Sequence, residues 1–349
     1  MAEILVLTVS DFPFLRLKPQ YMSNVIQGNI GKGWVDKPHL KEPGNWPTEM
    51  QEAWAGDQGA AAGKVVQDRQ IEQFRRLRGA LDDFRPDFMV FFFRELGETF
   101  GTYARPQYWV QAHEQVTTKL FHVFGNRENY FEEDPDREDV LRGHRQGAMH
   151  LVRGLQDEGR NPLYTLEPTL PSGLGHCALA TTVHLDWDKR EFLTPIVPVG
   201  VDPFGFMRVR NNEGMTEWDK SLPRPLTPKE AFELGQSIAR IYKASPWKVA
   251  LVAGVGWSHA NDTGLEFERL HPDIDADAAR FEQWRNNRFT EWGDNWSFEE
   301  MEEHAQWEML ITIILAGAMS QIGAKIAHTD FLPTWLFNSN FVNTIFEVK

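Results

Sequence analysis

Three apolar runs in this chain stop abruptly at polar or ionisable residues, a pattern typical of buried strands whose ends carry a site. The runs cover residues 4–9, 88–93 and 249–255, and the residues that follow them include Asp11, Glu95 and His259. In open α/β sheets the carboxyl ends of parallel strands meet at one edge, where ligands bind. The pattern therefore predicts a pocket built from the residues that follow these three strands.

Helical signals alternate with the strand signals. Apolar side chains at helical spacing between Val66 and Pro86 predict an amphipathic helix that ends before the proline. Thr227, followed by Pro228 and Glu230, has the composition of a helix start, with a capping residue, a proline in the first turn and a glutamate three residues on. We expect that helix to lead directly into the strand predicted over residues 249–255.

The alternation of strands and helices predicts a three-layer α/β sandwich around a largely parallel or mixed sheet. Residues 1–349 are expected to form a single large domain with long loop insertions, and residues 300–349 a helical and aromatic extension packed on it. We predict an irregular surface excursion over residues 30–64 and a surface helix over residues 138–156. Prolines interrupt residues 191–199, so we predict that these residues form an edge strand.

A loop rich in glycine, residues 171–177, carries His176 and the only cysteine, Cys177. Its glycines and proline predict a flexible backbone that presents His176 to a pocket. An imidazole titrates near neutral pH, so it can act as a general acid or base, or it can fix a loop by hydrogen bonding. A single buried cysteine is more often inert than nucleophilic.

The aromatic content, net charge and cysteine count of the chain limit the classes of protein to which it can belong. The 13 Trp and 24 Phe are an aromatic excess that suits a core, an aromatic-lined pocket or an oligomer interface. The formal net charge of −14 argues against nucleic acid or an anionic membrane surface as a partner, because binding phosphate requires basic clusters. One cysteine excludes an internal disulfide, and the short N-terminal apolar run lacks the features of a membrane span or a secretory signal. We therefore expect a cytoplasmic protein.

Taken in order, the strand-end motifs resemble those of the class III extradiol ring-cleavage dioxygenases, the family typified by the catalytic subunit of protocatechuate 4,5-dioxygenase. The resemblance extends over nearly the whole chain. The matching segments are Ser10-Asp11-Phe12-Pro13, residues 94–100, Gly175-His176, Trp257-Ser258-His259 and residues 272–277. It implies an α/β fold and the ring-opening of a dihydroxylated or aminohydroxylated aromatic compound by O₂.

The resemblance also implies roles for individual residues. His176 falls where the family has its acid/base, and His259 falls where the family lines its substrate pocket, so both are candidate catalytic residues. Phe12, Trp257 and Ser258 are the candidate substrate-binding residues.

The family's metal ligands are replaced in this chain. Its first metal-binding histidine falls on Asp11, its second falls near Leu96 with Glu95 just before it, and its glutamate falls on Asp275. The resemblance implies Fe(II), which the family holds through two histidines and one carboxylate, so that one face of the ion is open to substrate and O₂. Three carboxylates would instead suit Mg²⁺, Ca²⁺ or Mn²⁺, or the site would hold no metal.

Three functional interpretations remain open. The first is an extradiol-type ring-opening dioxygenase with an altered metal set, formed by Asp11, Asp275 and either Glu95 or Glu98. The second is a non-catalytic, metal-free subunit of a heteromeric dioxygenase of the same family, with the aromatic excess supplying the interface to an active subunit. The third is metal-independent acid/base catalysis centred on His176 beside Cys177. As partners we expect a small aromatic substrate and O₂, and a homo-oligomer or a hetero-oligomer with a related subunit.

Overall fold

A mixed sheet of eight strands, flanked by helices on both faces, organises the chain as a single three-layer α/β domain, which confirms the predicted fold class. The computed structural model describes residues 2–31, 38–95, 97–100, 104–122, 127–168, 173–205, 210–211, 214–215, 219–259 and 270–348.

The strands in these residues are β1 (Ile4–Val9), β2 (Phe88–Arg94), β3 (Tyr108–Gln111), β4 (Gln115–Thr118), β5 (Asp139–Arg142), β6 (Leu163–Thr165), β7 (Ile196–Val201), β8 (Arg210–Asn211), β9 (Gly214–Met215), β10 (Val249–Gly254), β11 (Ala324–Leu332) and β12 (Phe341–Val348). The α-helices are α1 (Asn24–Gly31), α2 (Thr48–Trp54), α3 (Ala60–Phe84), α4 (Arg145–Asp157), α5 (His176–Leu185), α6 (Pro228–Lys243), α7 (Ile274–Arg285), α8 (Phe298–Glu303) and α9 (Met309–Ile322).

The large sheet has the order β11-β12-β1-β10-β2-β7-β3-β6, and its four central strands, β1, β10, β2 and β7, are parallel. Ile4 pairs with Val249, which pairs with Phe88, so the first three of these strands begin level with one another. They also end level, because Val9 pairs with Gly254 and Gly254 with Phe93. This register brings the residues after β1, β10 and β2 to the same edge of the sheet.

Successive side chains of the central strands point to opposite faces of the sheet and enter two separate cores. In β2, Phe88, Val90 and Phe92 enter one core, while Phe91 and Phe93 enter the other. Helices α4, α6 and α9 cover the first face, and α3 and α5 cover the second. Because both faces are covered, these strands are apolar at every position and do not alternate with polar residues.

Helix α9 is apolar on all sides because it is enclosed on all sides. Its residues Met309–Met319 are all buried between the sheet and α6. Helix α6 begins as predicted: the Thr227 hydroxyl accepts from the Glu230 backbone N–H, and the Glu230 carboxylate accepts from the Thr227 backbone N–H.

Strand β7 is an interior strand, so the predicted edge position for residues 191–199 is wrong. β7 lies between β2 and β3, but β3 pairs only with its last three residues, Val199–Val201. No described strand pairs with Pro198 on the β3 side, so this proline is tolerated although the strand is central.

The predicted helix over residues 138–156 begins late. Residues Asp139–Arg142 form β5, which pairs with β4, and the helix starts only at Arg145. Gly143 separates the two elements, and a Cβ at this position would lie 2.0 Å from the carbonyl oxygen of His113. The close approach of these two backbones therefore requires glycine at position 143, and sequence periodicity does not report such a contact.

Two further predictions about irregular backbone need correction. Residues 30–64 include α2 and the first turn of α3, with residues 32–37 outside the described part of the chain. His176 is the first residue of α5 and does not lie in an irregular loop, because the apolar run that follows it is helical and buried.

At the C-terminal end, β12 pairs with β1 within the large sheet. In the described residues, no helix combines the length and the apolar character needed to cross a membrane.

The contact between α6 and α9 depends on two glycines, which yields a test of the fold. A Cβ at Gly317 would lie 1.9 Å from the carbonyl oxygen of Phe232, and a Cβ at Gly235 would lie 1.8 Å from that of Ile314. We expect Gly317→Ala to lower the free energy of unfolding by about 1–3 kcal/mol, because the helices must separate. Urea unfolding measures this change.

Gly79→Ala is the matched control. Gly79 lies inside α3, and a Cβ added there would meet none of the described atoms within 4 Å. Alanine should therefore raise stability by roughly 0.5–1 kcal/mol through its higher helix propensity. Equal effects of the two substitutions would contradict the close packing of α6 on α9.

Candidate active site

The carboxyl edge of the sheet carries a connected set of buried and partly buried polar side chains, here called the edge network. Its members come from the end of β2, the loop after β2, the first turn of α5, the start of α9 and the segment after β10: Arg94, Glu98, His176, Cys177, Glu308 and His259. Contacts run through the network from Glu98 at one end to His259 at the other.

His176 and Glu98 form a hydrogen-bonded acid/base pair. The ring nitrogen Nδ1 of His176 contacts Glu98 Oε1, and the His176 backbone N–H donates to Glu98 Oε2 at 3.0 Å. Burial by itself would raise the pKa of Glu98, but the attraction of His176 outweighs it and lowers that pKa to about 2. We assign a proton to Nδ1, because an ionised carboxylate can only accept. Nε2 is then the ring nitrogen that faces Cys177.

Gly175 allows this pair to form. It caps the N-terminus of α5, and a Cβ there would lie 2.8 Å from Glu98 Oε2. A larger residue at position 175 would push the carboxylate away from the imidazole. Gly175 therefore has a steric role, in addition to the backbone flexibility that the glycine-rich segment predicts.

Cys177 lies between the acid/base pair and the rest of the network. Its Sγ is 3.3 Å from His176 Nε2 and 3.6 Å from Arg94 Nη2. Burial raises the pKa of the thiol well above its usual value, although Arg94 opposes this, and the side chain is only 1% exposed. Glu98, His176 and Cys177 thus have the order of a nucleophilic triad, but burial disfavours the thiolate that a nucleophilic role requires.

Arg94 and Glu308 form a buried ion pair at the centre of the network. Arg94 ends β2 and is 5% exposed, and Glu308 directly precedes α9 and is 1% exposed. The carboxylate also lies at the positive end of the α9 dipole, which favours its charge. His259 Nε2 is 3.8 Å from Glu308 Oε1, and the Asn338 amide nitrogen is 2.9 Å from the same ring nitrogen.

Asp11 lies at the same edge, directly after Ser10 at the end of β1. It is 5% exposed, and in the described part of the chain its Oδ2 has no hydrogen-bond partner. The Ser10 carbonyl accepts from His184 Nδ1 at 2.6 Å, and the Ser10 backbone N–H donates to the Asn343 side chain at 3.1 Å. These two bonds fix the backbone that carries Asp11.

The three predicted substrate-binding residues occupy different surroundings. Phe12 is buried in the core beneath α3 and α5, with its ring 5.5 Å from that of Phe14. Trp257 is fully buried in the other core, 6.2 Å from the ring of Trp284. Ser258 Oγ donates to Asp277 at 2.7 Å. Phe12 follows β1, as Asp11 does, whereas Trp257 and Ser258 follow β10, and Trp257 packs on the face of the sheet opposite to Phe12.

Asp277 is a buried carboxylate that sequence reasoning missed. It accepts hydrogen bonds from the Ser258 backbone and hydroxyl and from the side chains of Gln306 and Asn340. Burial raises the pKa of Asp277 to about 6, although these donors oppose the shift. The predicted ligand Asp275 lies two residues earlier in the first turn of α7, and it is exposed.

The predicted metal ligands do not fit an Fe(II) site. The Glu95 carboxylate accepts from the Thr99 backbone N–H at 3.0 Å and from the Thr99 hydroxyl. Among the described residues, which include Asp11, Glu95 and Asp275, no group of three His, Cys, Asp or Glu side chains is placed to hold a metal ion. Leu96, aligned with a family histidine, lies outside the described residues.

Glu308, Arg94 and Glu98 complete the site, and sequence analysis did not assign them firmly. The available signal was local: Arg94 and Glu98 follow a buried strand, and Glu308 stands alone at the start of a long apolar segment. Comparisons of the chain with protein-family models and with curated proteins gave no match.

Asp277 and Asp275 provide a matched test of the buried cluster. We expect Asp277→Ala to lower the free energy of unfolding by about 2–4 kcal/mol, because four donors lose their acceptor in a buried place. Asp275→Ala should cost less than about 1 kcal/mol, because its exposed carboxylate contributes only at the start of a helix. Chemical denaturation of both variants measures the difference, and equal losses would contradict the assignment.

The state of Cys177 is tested by alkylation. In the native protein at pH 8, iodoacetamide should modify Cys177 at least about 100-fold more slowly than in urea, because the thiol is buried and protonated. Mass spectrometry follows the modified fraction with time. Rapid modification of the folded protein would show an accessible thiolate and would favour a nucleophilic role.

Proposed function

We propose that this chain is an extradiol-type ring-opening dioxygenase that acts on a dihydroxylated or aminohydroxylated aromatic compound. The observation that carries the proposal is the His176–Glu98 pair at the carboxyl edge of the sheet, at the position where the motif order implies the acid/base. A function assigned from motif order and fold needs support from the site itself. The contacts of His176 supply that support.

His176 is suited to remove a proton from a ring hydroxyl group. Its Nε2 accepts the proton while Nδ1 stays bonded to Glu98, whose negative charge stabilises the imidazolium that forms. Deprotonation makes the aromatic ring electron-rich and prepares it for reaction with O₂. The same nitrogen can return the proton later in the reaction.

The proposal assigns no step to iron, because the candidate ligands do not converge in the described residues. It assigns to the residues of this chain the removal and return of the hydroxyl proton. The buried phenylalanines Phe12 and Phe93, which enter the core beneath α5, provide apolar surface near that edge.

A second candidate function is a non-catalytic, metal-free subunit that pairs with a related active chain. The ion pair between Arg94 and Glu308 supports it, because the charge of a buried carboxylate at this edge is already balanced by an arginine. The outer strand β6 offers an interface: Leu163, Tyr164 and Leu166 at this edge are 40–48% exposed. The single free thiol of Cys177 suits a reducing compartment such as the cytoplasm.

Oxygen consumption tests the first proposal. We expect the purified chain to consume O₂ with at least one member of a panel of catechols, protocatechuates and 2-aminophenols. His176→Gln should lower kcat/KM by about 10²–10⁴-fold, because the proton acceptor is lost. Glu98→Gln should lower it less, because the imidazole keeps a hydrogen-bond partner but loses the charge that stabilises its protonated form.

The exposed histidine His39 supplies the control, since His39→Gln should leave oxygen consumption unchanged. If the wild-type chain consumes no O₂ with any compound, the enzyme proposal fails for the isolated chain. Formation of a stable complex with a related active dioxygenase subunit would then support the subunit function.

A further inference from the structure

We propose that the guanidinium of Arg94 takes the place of a metal ion at the centre of the edge network, so that the carboxylates there are neutralised by an arginine and the site works without a metal. The inference concerns the same site as the proposed function. It stands on contacts that are independent of whether the chain opens aromatic rings.

The first observation is the burial and pairing of Arg94. Its guanidinium pairs with the Glu308 carboxylate and lies 3.6 Å from Cys177 Sγ, and all three side chains are at most 5% exposed. A buried guanidinium is always charged, so it requires an opposite charge nearby. Glu308 supplies that charge, and it is delivered by a different element, α9.

The second observation is that several acidic groups cluster around Cys177 and Arg94. Cys177 touches Arg94 through its sulfur, and it experiences the negative charges of Asp11, Glu98 and Glu308. Without a cation, three carboxylates near one buried thiol would repel one another. Arg94 supplies positive charge among them, because its guanidinium pairs with Glu308 and attracts Glu98, and the buried Arg16 interacts with Cys177 as well.

The third observation is the failure of the predicted ligands to converge. Glu95 accepts two hydrogen bonds from Thr99, and Asp275 is exposed on α7. The described residues hold no alternative group of three donors. A divalent ion beside Arg94 would also meet a fixed positive charge in a buried, weakly screened place.

This arrangement changes how the site can bind a ligand. A metal ion binds oxygen atoms at open coordination positions, whereas a guanidinium offers N–H donors in a planar fork. A hydroxylated aromatic ligand would therefore be held by hydrogen bonds from the edge network, without chelation. The ligand affinity should not depend on added divalent cations.

Metal content and thermal stability test the inference. Protein purified anaerobically from cells supplied with iron, manganese and zinc is analysed by mass spectrometry, and its Tm is measured with and without Mn²⁺. We expect wild-type protein to contain far less than one metal ion per chain and to show no rise in Tm with Mn²⁺. Near-stoichiometric metal in the wild type, lost in Asp11→Ala, would overturn the proposal.

Arg94→Ala gives the complementary test. This variant leaves Glu308 without its guanidinium partner, so its Tm should fall, and Mn²⁺ should restore about 2 °C or more by supplying the missing charge. The double variant Arg94→Ala, Glu308→Gln should not respond to Mn²⁺. A single variant that folds and ignores Mn²⁺ would contradict the idea that Arg94 stands in for a metal.

Arg75→Ala is the control for a general effect of removing an arginine. Arg75 pairs with Asp188 on the protein surface, so Arg75→Ala should change the Tm only slightly. Its response to Mn²⁺ should equal that of the wild type. If Arg94→Ala does not fold, the metal content of the wild type still decides the matter. Since these readouts do not use turnover, a failed oxygen-consumption test would leave this result unaffected.

Discussion

The guanidinium of Arg94 lies at the end of a central strand and is almost wholly buried. Because water cannot solvate its charge there, its partners must come from other elements. Glu308 reaches it from the start of α9, and Cys177 reaches it from the first turn of α5, on the other face of the sheet. Breaking a buried ion pair on one side typically costs about 3–5 kcal/mol. Both helix starts are therefore fixed relative to the end of β2, and the other polar residues of the edge are arranged around this contact.

A second buried carboxylate fixes the neighbouring part of the edge. Asp277 connects α7 to Ser258 in the segment after β10 and to Asn340 just before β12. Asn338, in the same loop as Asn340, contacts the ring of His259. The Asp277 cluster therefore fixes the loop of Asn338 and Asn340, which in turn contacts His259.

The two ends of the edge network have different chemical capacities. At one end, His176 and Glu98 can exchange a proton, because the imidazole has one nitrogen held by a carboxylate and the other beside a neutral thiol. At the other end, Glu308 lies between a guanidinium and an imidazole and has its charge balanced within the protein. The first end therefore holds an imidazole paired with a carboxylate, and the second holds a carboxylate paired with a guanidinium.

Local signals in the sequence determined the central strands, the helix that starts at Thr227 and the edge at which the site lies, because apolar runs and capping residues act over a few neighbouring positions. The pairing of Arg94 with Glu308 joins residues 214 positions apart, and periodicity carries no information about such a contact. The choice of Asp277 over Asp275 as the buried carboxylate depends on which side of α7 faces the loop of Asn340. The tertiary structure alone decided these points, because the partners of a buried charge are set by how distant elements pack.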